Sequence, residues 1–438
     1  MKGNRLAFLR PLIKHITMER VAGAMGILLI AWSLWLPPAS IGIRIFHTDY
    51  PVIGKRGGAV TERDGQARSK SARGGDLSDA EASIAILSVP EGMLTKSLKV
   101  RLTALSMAQI ASNKVAAAAM AALLPHLQAA SPLYTFSMYG PQPKKAILAL
   151  PILTKADPDT LDLYTWTGNA WKWAPCDVLV ADRRIEATLT AIPEMALLVQ
   201  TRPLAPSVAA HIAPGSVSTT EEASLFSQIN PEGAFVQNDG NIGGAWQIDA
   251  SGLPEGSMIV PTLRNVSEGV IRNDWVNDIL ASEATLESHI GAILSWVENA
   301  KCAGVNIAYS QIDAARRDDF TRFVERLAAK MHSAGKQLSI QVDLPTQISE
   351  DQWDGGAYDW VRLGQAVDTL RVPTMPDPAA HVLGGKMEEL LRWATRQVDR
   401  RKIQLQISMR SREFVDSEMQ EKPYAKILAE VGQLAVEG

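Results

Sequence analysis

The run Ala303-Gly304-Val305-Asn306-Ile307-Ala308-Tyr309-Ser310-Gln311 lies between two helical patterns, and that arrangement leaves few folds open. Val305, Ile307 and Tyr309 alternate with small or polar residues, the period of a strand. Upstream, Leu286, Ile290, Ile293, Leu294 and Val297 share one face of a helix expected over 283–303. Downstream, 315–334 reads as a second helix. A strand between helices is the unit of a parallel βα array. Such arrays gather their chemistry at the carboxyl ends of the strands, here at Ser310 and Gln311.

The same unit recurs along the carboxyl half. SVAAHI (207–212) reads as a first strand, the stretch 223–244 holds a second, and SMIVPTLRN (257–265) is a third that ends in Asn265. LSIQVDLP (338–345), VDTLRVPTMPD (367–377) and IQLQISM (403–409) follow as fifth, sixth and seventh, with a helix over 386–398 before the last. After Met409 one more helix, 424–436, is legible and no eighth strand, so the barrel is expected to be open or the chain to stop short of its end.

On these residues the chain resembles the family-18 glycoside hydrolases, the chitinase-like and spore-germination-type barrels, over roughly 205–415. Their fourth strand reads Asp-Gly-x-Asp-x-Asp-x-Glu and ends in the catalytic acid. Here Gly304 and the apolar frame are kept, but Ala303, Asn306, Ala308 and Ser310 stand where the family has acids. Asn265, the helix start Gly356-Ala357-Tyr358-Asp359-Trp360 and the sixth strand are also similar. Relatives follow that sixth strand with Met-x-Tyr-Asp, where this chain has Met375-Pro376-Asp377 and lacks the Tyr. The resemblance implies an α/β fold class, a TIM-type (β/α) barrel, and a groove lined by Asn265, Glu268, Tyr309, Gln311, Asp343, Met375, Asp377 and Arg410. It also implies loss of hydrolysis. The family's acid donates a proton while the substrate's own acetamide attacks, and neighbouring carboxylates raise that acid's pKa. Ser310 cannot donate a proton near neutral pH, and Asn306 and Ala308 cannot tune one. Glu268, Asp343 and Asp377 are the substitute acids by strand position, but the reading of each as an ordinary loop or cap carboxylate is the stronger.

The amino-terminal half is organised differently. Residues 1–20 form a basic segment, and 21–43 carry no charge, about 23 residues and enough to cross a hydrocarbon core. We read a signal anchor with a cytoplasmic amino terminus, against a cleaved signal peptide or a buried helix. Residues 44–82 read as a flexible linker, rich in Gly, Ser and charge. Short strands with Pro, Gly and Asp turns over 83–203 read as a β-sandwich, with a helical insert at 114–128. Tyr164, Trp166, Trp171 and Trp173 form a hairpin that could serve sugar stacking or the core, the core reading being the stronger. A Pro-rich joint at 202–206 is short enough to fix the sandwich against the barrel-like region, 204–438.

A net charge of −3 gives no reason to expect nucleic acid as a partner. Cys176 and Cys302 have no second Cys or His at ligand spacing, so no metal and no cofactor is expected. His289 and His332, on helices, are read as solvated or partly packed. The expectation is a single-pass membrane protein with its bulk outside the cytoplasm, an inactive chitinase-like scaffold that binds an envelope glycan or an envelope protein. The competing readings are a divergent glycosidase on peptidoglycan or chitin-like polymer, and a purely structural envelope subunit.

Overall fold

The computed structural model describes residues 50–63, 66–70, 84–153, 156–202, 207–213, 226–246, 257–349, 351–408, 410–415 and 418–423. The expected anchor at 21–43 lies outside them. Among the described residues no helix is long and apolar enough to cross a membrane.

The amino-terminal region is two antiparallel sheets around a shared core. One sheet holds Leu98–Leu105, Leu133–Tyr139, Met195–Thr201 and Leu161–Trp166; the other holds Arg184–Leu189, Ala146–Pro151, Ile86–Val89 and Gly58–Arg63. Strict alternation does the work: Leu98, Val100 and Leu102 from the first sheet meet Leu87, Leu148 and Ile185 from the second, all fully buried. The outer face of the first sheet is covered by helices α1 (Met107–Ser112) and α2 (Lys114–Ala121). Ser106 starts α1 with a capping box, and the Asn113 side chain accepts from Val115 and Ala116 N–H to start α2. The helical insert is therefore shorter than 114–128, because Leu127–Ala129 leaves it to pair with Met195–Thr201.

The flexible-linker reading of 44–82 is corrected for its middle part. Val52–Ile53, Gly58–Arg63 and Gln66–Lys70 are strands of the sandwich. Backbone pairing needs no apolar run, and the buried side chains of Ile53 and Val60 seat the first two of these strands. Composition alone hid them.

The carboxyl-terminal region is a series of seven parallel strands in sequential order, β1 (Ala209–Ile212), β2 (Gln228–Pro231 and Ala234–Val236), β3 (Met258–Ile259 and Thr262–Arg264), β4 (Gly304–Ala308), β5 (Gln337–Gln341), β6 (Thr369–Pro373) and β7 (Ile403–Gln406). Helices α3 (Asn273–Leu280) and α4 (Glu283–Asn299) join β3 to β4. Helix α5 (Arg317–Ser333) joins β4 to β5, α6 (Trp360–Ala366) joins β5 to β6, and α7 (Lys386–Gln397) joins β6 to β7. This is the path of a (β/α) barrel, but among the described residues the series does not close: no strand joins β7 to β1. The helices bury Leu286, Ile290, Phe320, Phe323, Leu327, Leu363 and Leu390 against the outward side of the strands.

Sandwich and barrel strands meet at one charged seam. Asp162, 2% exposed, takes Arg400 at 2.9 Å, while Tyr164 Oη donates to Asp399 Oδ2 at 3.2 Å. Arg401 binds Asp399 at 2.7 Å and approaches His126 Nε2 at 2.8 Å. Tyr164 and Trp166 of the expected sugar-stacking hairpin are buried. Trp171 and Trp173 donate their indole N–H groups to the Ala119 carbonyl and to Asp162. These rings belong to the core and the seam.

Candidate functional site

Strand β4 sorts its side chains by pleat. Tyr309 turns outward under the helices, its ring stacked with Phe323 of α5 and its hydroxyl 2.7 Å from Nε2 of His289 on α4. The groove-lining reading of Tyr309 is thereby corrected, as is the solvated reading of His289, which is 1% exposed. Period two decides this: with Val305 and Ile307 facing the helices, Tyr309 must follow them. His289 Nδ1 lies 2.6 Å from the Gly240 carbonyl, so Nδ1 carries a proton and donates there; with the ring neutral, Nε2 accepts from Tyr309. Burial pushes its pKa down to about 4.

By the same alternation Asn306, Ala308 and Ser310 turn inward. A side chain at Gly304 would place a Cβ 2.1 Å from the Gln337 carbonyl of β5, so the glycine permits the β4–β5 pairing itself. Ser310, at the position of the family's acid, is fixed through its backbone. The Asn265 side chain donates to the Ser310 carbonyl and accepts its N–H, each at 2.9 Å. The next residue, Gln311, sits at φ 57° and donates its N–H to Asp343 at 2.8 Å. Tyr358 closes the arrangement by donating to the Tyr309 carbonyl at 2.6 Å. Burial first and the nearby Asp343 charge second push the Tyr358 hydroxyl pKa up, so it stays a donor.

Of the sequence candidates, Asn265, Ser310, Gln311 and Asp343 converge at the carboxyl ends of β3, β4 and β5. The others do not join them. Glu268 is exposed at φ 53° in the tip of the hairpin Val266–Ser267/Val270–Ile271. Asp377 caps the short helix Pro378–His381, accepting from Ala379 N–H. Met375 packs against the core, and Arg410 opens the strand Arg410–Val415, paired with Glu418–Pro423. Asp343 holds backbone rather than standing free as an acid.

A second polar group lies deeper inside and was missed in the sequence. Arg371 of β6, 1% exposed, crosses to Asn230 Oδ1 of β2 at 2.8 Å and to His211 Nε2 of β1 at 3.3 Å. His211 Nδ1 stands 3.5 Å from Glu232, too long for a firm hydrogen bond, and Glu232 takes Arg264 at 3.0 Å. The His211 contact, opposed by burial and joined by Arg264, holds the Glu232 carboxyl below its ordinary range. Glu232 is thus a fixed anion and a poor proton donor. Burial lowers the Arg371 pKa to about 10, which leaves it charged at neutral pH. The available signal was polar residues at period two, Gln228, Asn230 and Glu232, in otherwise apolar strands.

Fold and site together define an α/β scaffold of seven sequential parallel strands, with Ser310 clamped by Asn265 at the carboxyl end of β4. Sequence comparison places beside it the "Putative sporulation-specific glycosylase YdhD" of Bacillus subtilis, 26% identical over 151 residues. That match covers 32% of this chain and 35% of the relative, so the chain spans about a third of the length of the curated protein it matches. A chitinase of Chromobacterium violaceum aligns in structure with 16% identity and a TM-score of 0.44, over 52% of this chain and 77% of that one. The spore cortex-lytic enzyme SleL of Bacillus megaterium aligns with 15% identity and a TM-score of 0.45, over 56% and 62%. No family profile matches the chain. The chain is similar to chitinase-like and sporulation-glycosylase proteins, the family-18 type that its β4 sequence resembles.

Proposed function

We propose that this protein is a membrane-anchored, extracytoplasmic member of the chitinase-like group that binds envelope glycan without hydrolysing it. The observation that carries the reading is Ser310: the acid position holds a hydroxyl whose peptide is clamped by Asn265. The inward Glu232, ion-paired to Arg264, supplies no replacement donor. Hydrolysis of a glycoside needs a positioned acid with a raised pKa, and neither group offers one. A strand-end face without an acid is suited to holding a glycan, or an envelope protein that occupies the same face. The uncharged 21–43 stretch after a basic leader supports an anchor with the amino terminus in the cytoplasm.

The test is incubation of the purified protein with N-acetylglucosamine oligomers and with peptidoglycan, reading new reducing ends, beside a binding titration with the same oligomers. Binding without cleavage is expected. Turnover that follows protein concentration would establish the divergent glycosidase instead. For the anchor, protease added to right-side-out vesicles should degrade the chain beyond residue 44, and full protection would reject the topology.

A further inference from the structure

We infer that the glycan held at this face carries a carboxylate, seated against Arg371 in the barrel interior; the inference rests on the glycan-binding reading above.

The inward positions of β4, Asn306, Ala308 and Ser310, contribute no charge. The charged groups described at this face are Arg264, Glu232, Asp343 and Arg371; Glu232 takes Arg264, and Asp343 accepts the Gln311 N–H. Arg371 has no acceptor atom, so the His211 nitrogen facing it must accept and the other carries the proton of a neutral ring. That proton points toward Glu232, which Arg264 already neutralises. Arg371 has no carboxylate partner among the described residues: its two described partners, Asn230 Oδ1 and His211 Nε2, are both neutral.

A buried guanidinium without a carboxylate partner is costly, and an anion brought to it recovers that cost. Its Nε has no hydrogen-bond partner among the described residues. Neighbouring inward side chains show the same deficit: the amide oxygens of Asn306, Gln341 and Gln406 and the amide nitrogen of Asn230 are buried and have no hydrogen-bond partner among the described residues. Buried polar atoms are nearly always satisfied in native proteins, so this concentration points to a polar occupant. Gln341 and Arg371 are directly paired positions on β5 and β6, which puts a bare acceptor beside the bare cation. A ligand that fits must offer one anionic oxygen pair and several hydroxyl or amide groups, as an acidic sugar does and a neutral one does not. Beside Arg371, the His211, Glu232 and Arg264 side chains are 24%, 19% and 38% exposed at the carboxyl ends of β1, β2 and β3, the side from which a ligand would approach.

The experiment is calorimetric titration of the full chain with two probes of equal length, the N-acetylglucosamine tetramer and a tetrasaccharide alternating N-acetylglucosamine with N-acetylmuramic acid. The acidic probe should bind about tenfold tighter at low salt, the size of one added charge-assisted hydrogen bond, and the gap should narrow in concentrated salt. Arg371→Met should bring the ratio of the two affinities close to one. Should that variant fail to fold, Arg264→Gln, at a half-exposed position, should still reduce the ratio, because Glu232 then opposes the incoming anion. Equal affinity of both probes for the unaltered protein, or an unchanged ratio in the folded variants, would overturn the carboxylate inference and leave glycan binding intact. Binding of neither probe would overturn the glycan reading and this inference with it.

Discussion

Asn265 satisfies both backbone groups of Ser310 with one side-chain amide, Nδ2 to the carbonyl and Oδ1 from the N–H, each at 2.9 Å. The link ties the end of β3 to the end of β4 where a glycosidase of this type would hold its acid. Asn265 is itself 1% exposed, so water cannot replace it cheaply. Asn265→Ala should therefore cost about 2 to 4 kcal/mol in chemical denaturation, two hydrogen bonds with their partners left unpaired. A loss below 1 kcal/mol would show that the clamp is not structural.

Ser310→Glu restores an acid at the family's position but not its surroundings. Asn306 and Ala308 cannot raise the new carboxyl's pKa, and no Tyr stands between Met375 and Asp377. The variant should release no product from N-acetylglucosamine oligomers. Detectable turnover would mean that position alone, without tuning groups, suffices.

Gly304→Ala should be far more damaging than its one added methyl suggests. The new Cβ would lie 2.1 Å from the Gln337 carbonyl, which is ladder backbone rather than a movable side chain. Parting β4 from β5 disturbs the central pair of the parallel series, with an expected loss above about 3 kcal/mol or failure to fold. Thermal unfolding measures this; a melting temperature within 2 or so degrees of the parent, roughly 1 kcal/mol or less, would contradict it.

His289 gives the fold an acid-side weakness. Its pKa falls from 6.5 to about 4 in the folded chain, so between those values the unfolded state binds the extra proton. Stability should then be fully present above pH 6.5 and decline as pH falls toward 4, by up to about 3 kcal/mol from this group. His289→Gln removes the titration. Its stability should be lower at neutral pH and flatter between pH 4 and 6.5, as followed by denaturant midpoints; an unchanged slope would reject the assignment.

The seam between sandwich and barrel strands should behave as one body through Asp162–Arg400 and Asp399–Arg401. Arg400→Ala leaves Asp162, 2% exposed, with a buried charge short of its cation. Spin-label distances between the two regions should be narrow in the parent and broaden in the variant. A broad distribution in the parent would refute a fixed seam.

Periodicity settled much of this in advance. The order of the seven strands and the helices between them are local properties, since a strand or helix declares its buried face in its own spacing. What the spacing could not supply was which polar residues meet. His211, Glu232, Arg264 and Arg371 are up to 160 positions apart and come together only because sequential parallel strands curve around one interior. Tyr309 was misjudged for a related reason: its place beside Ser310 in the chain suggested the groove, whereas the pleat turns adjacent side chains to opposite faces. The strands within 52–70 escaped notice because hydrogen-bonded edges form through backbone, which composition does not report. Local sequence thus determined the elements and their order. The interior charge, the clamp on Ser310 and the seam at Asp162 were decided only by tertiary contact, because each joins groups that no single stretch of chain contains.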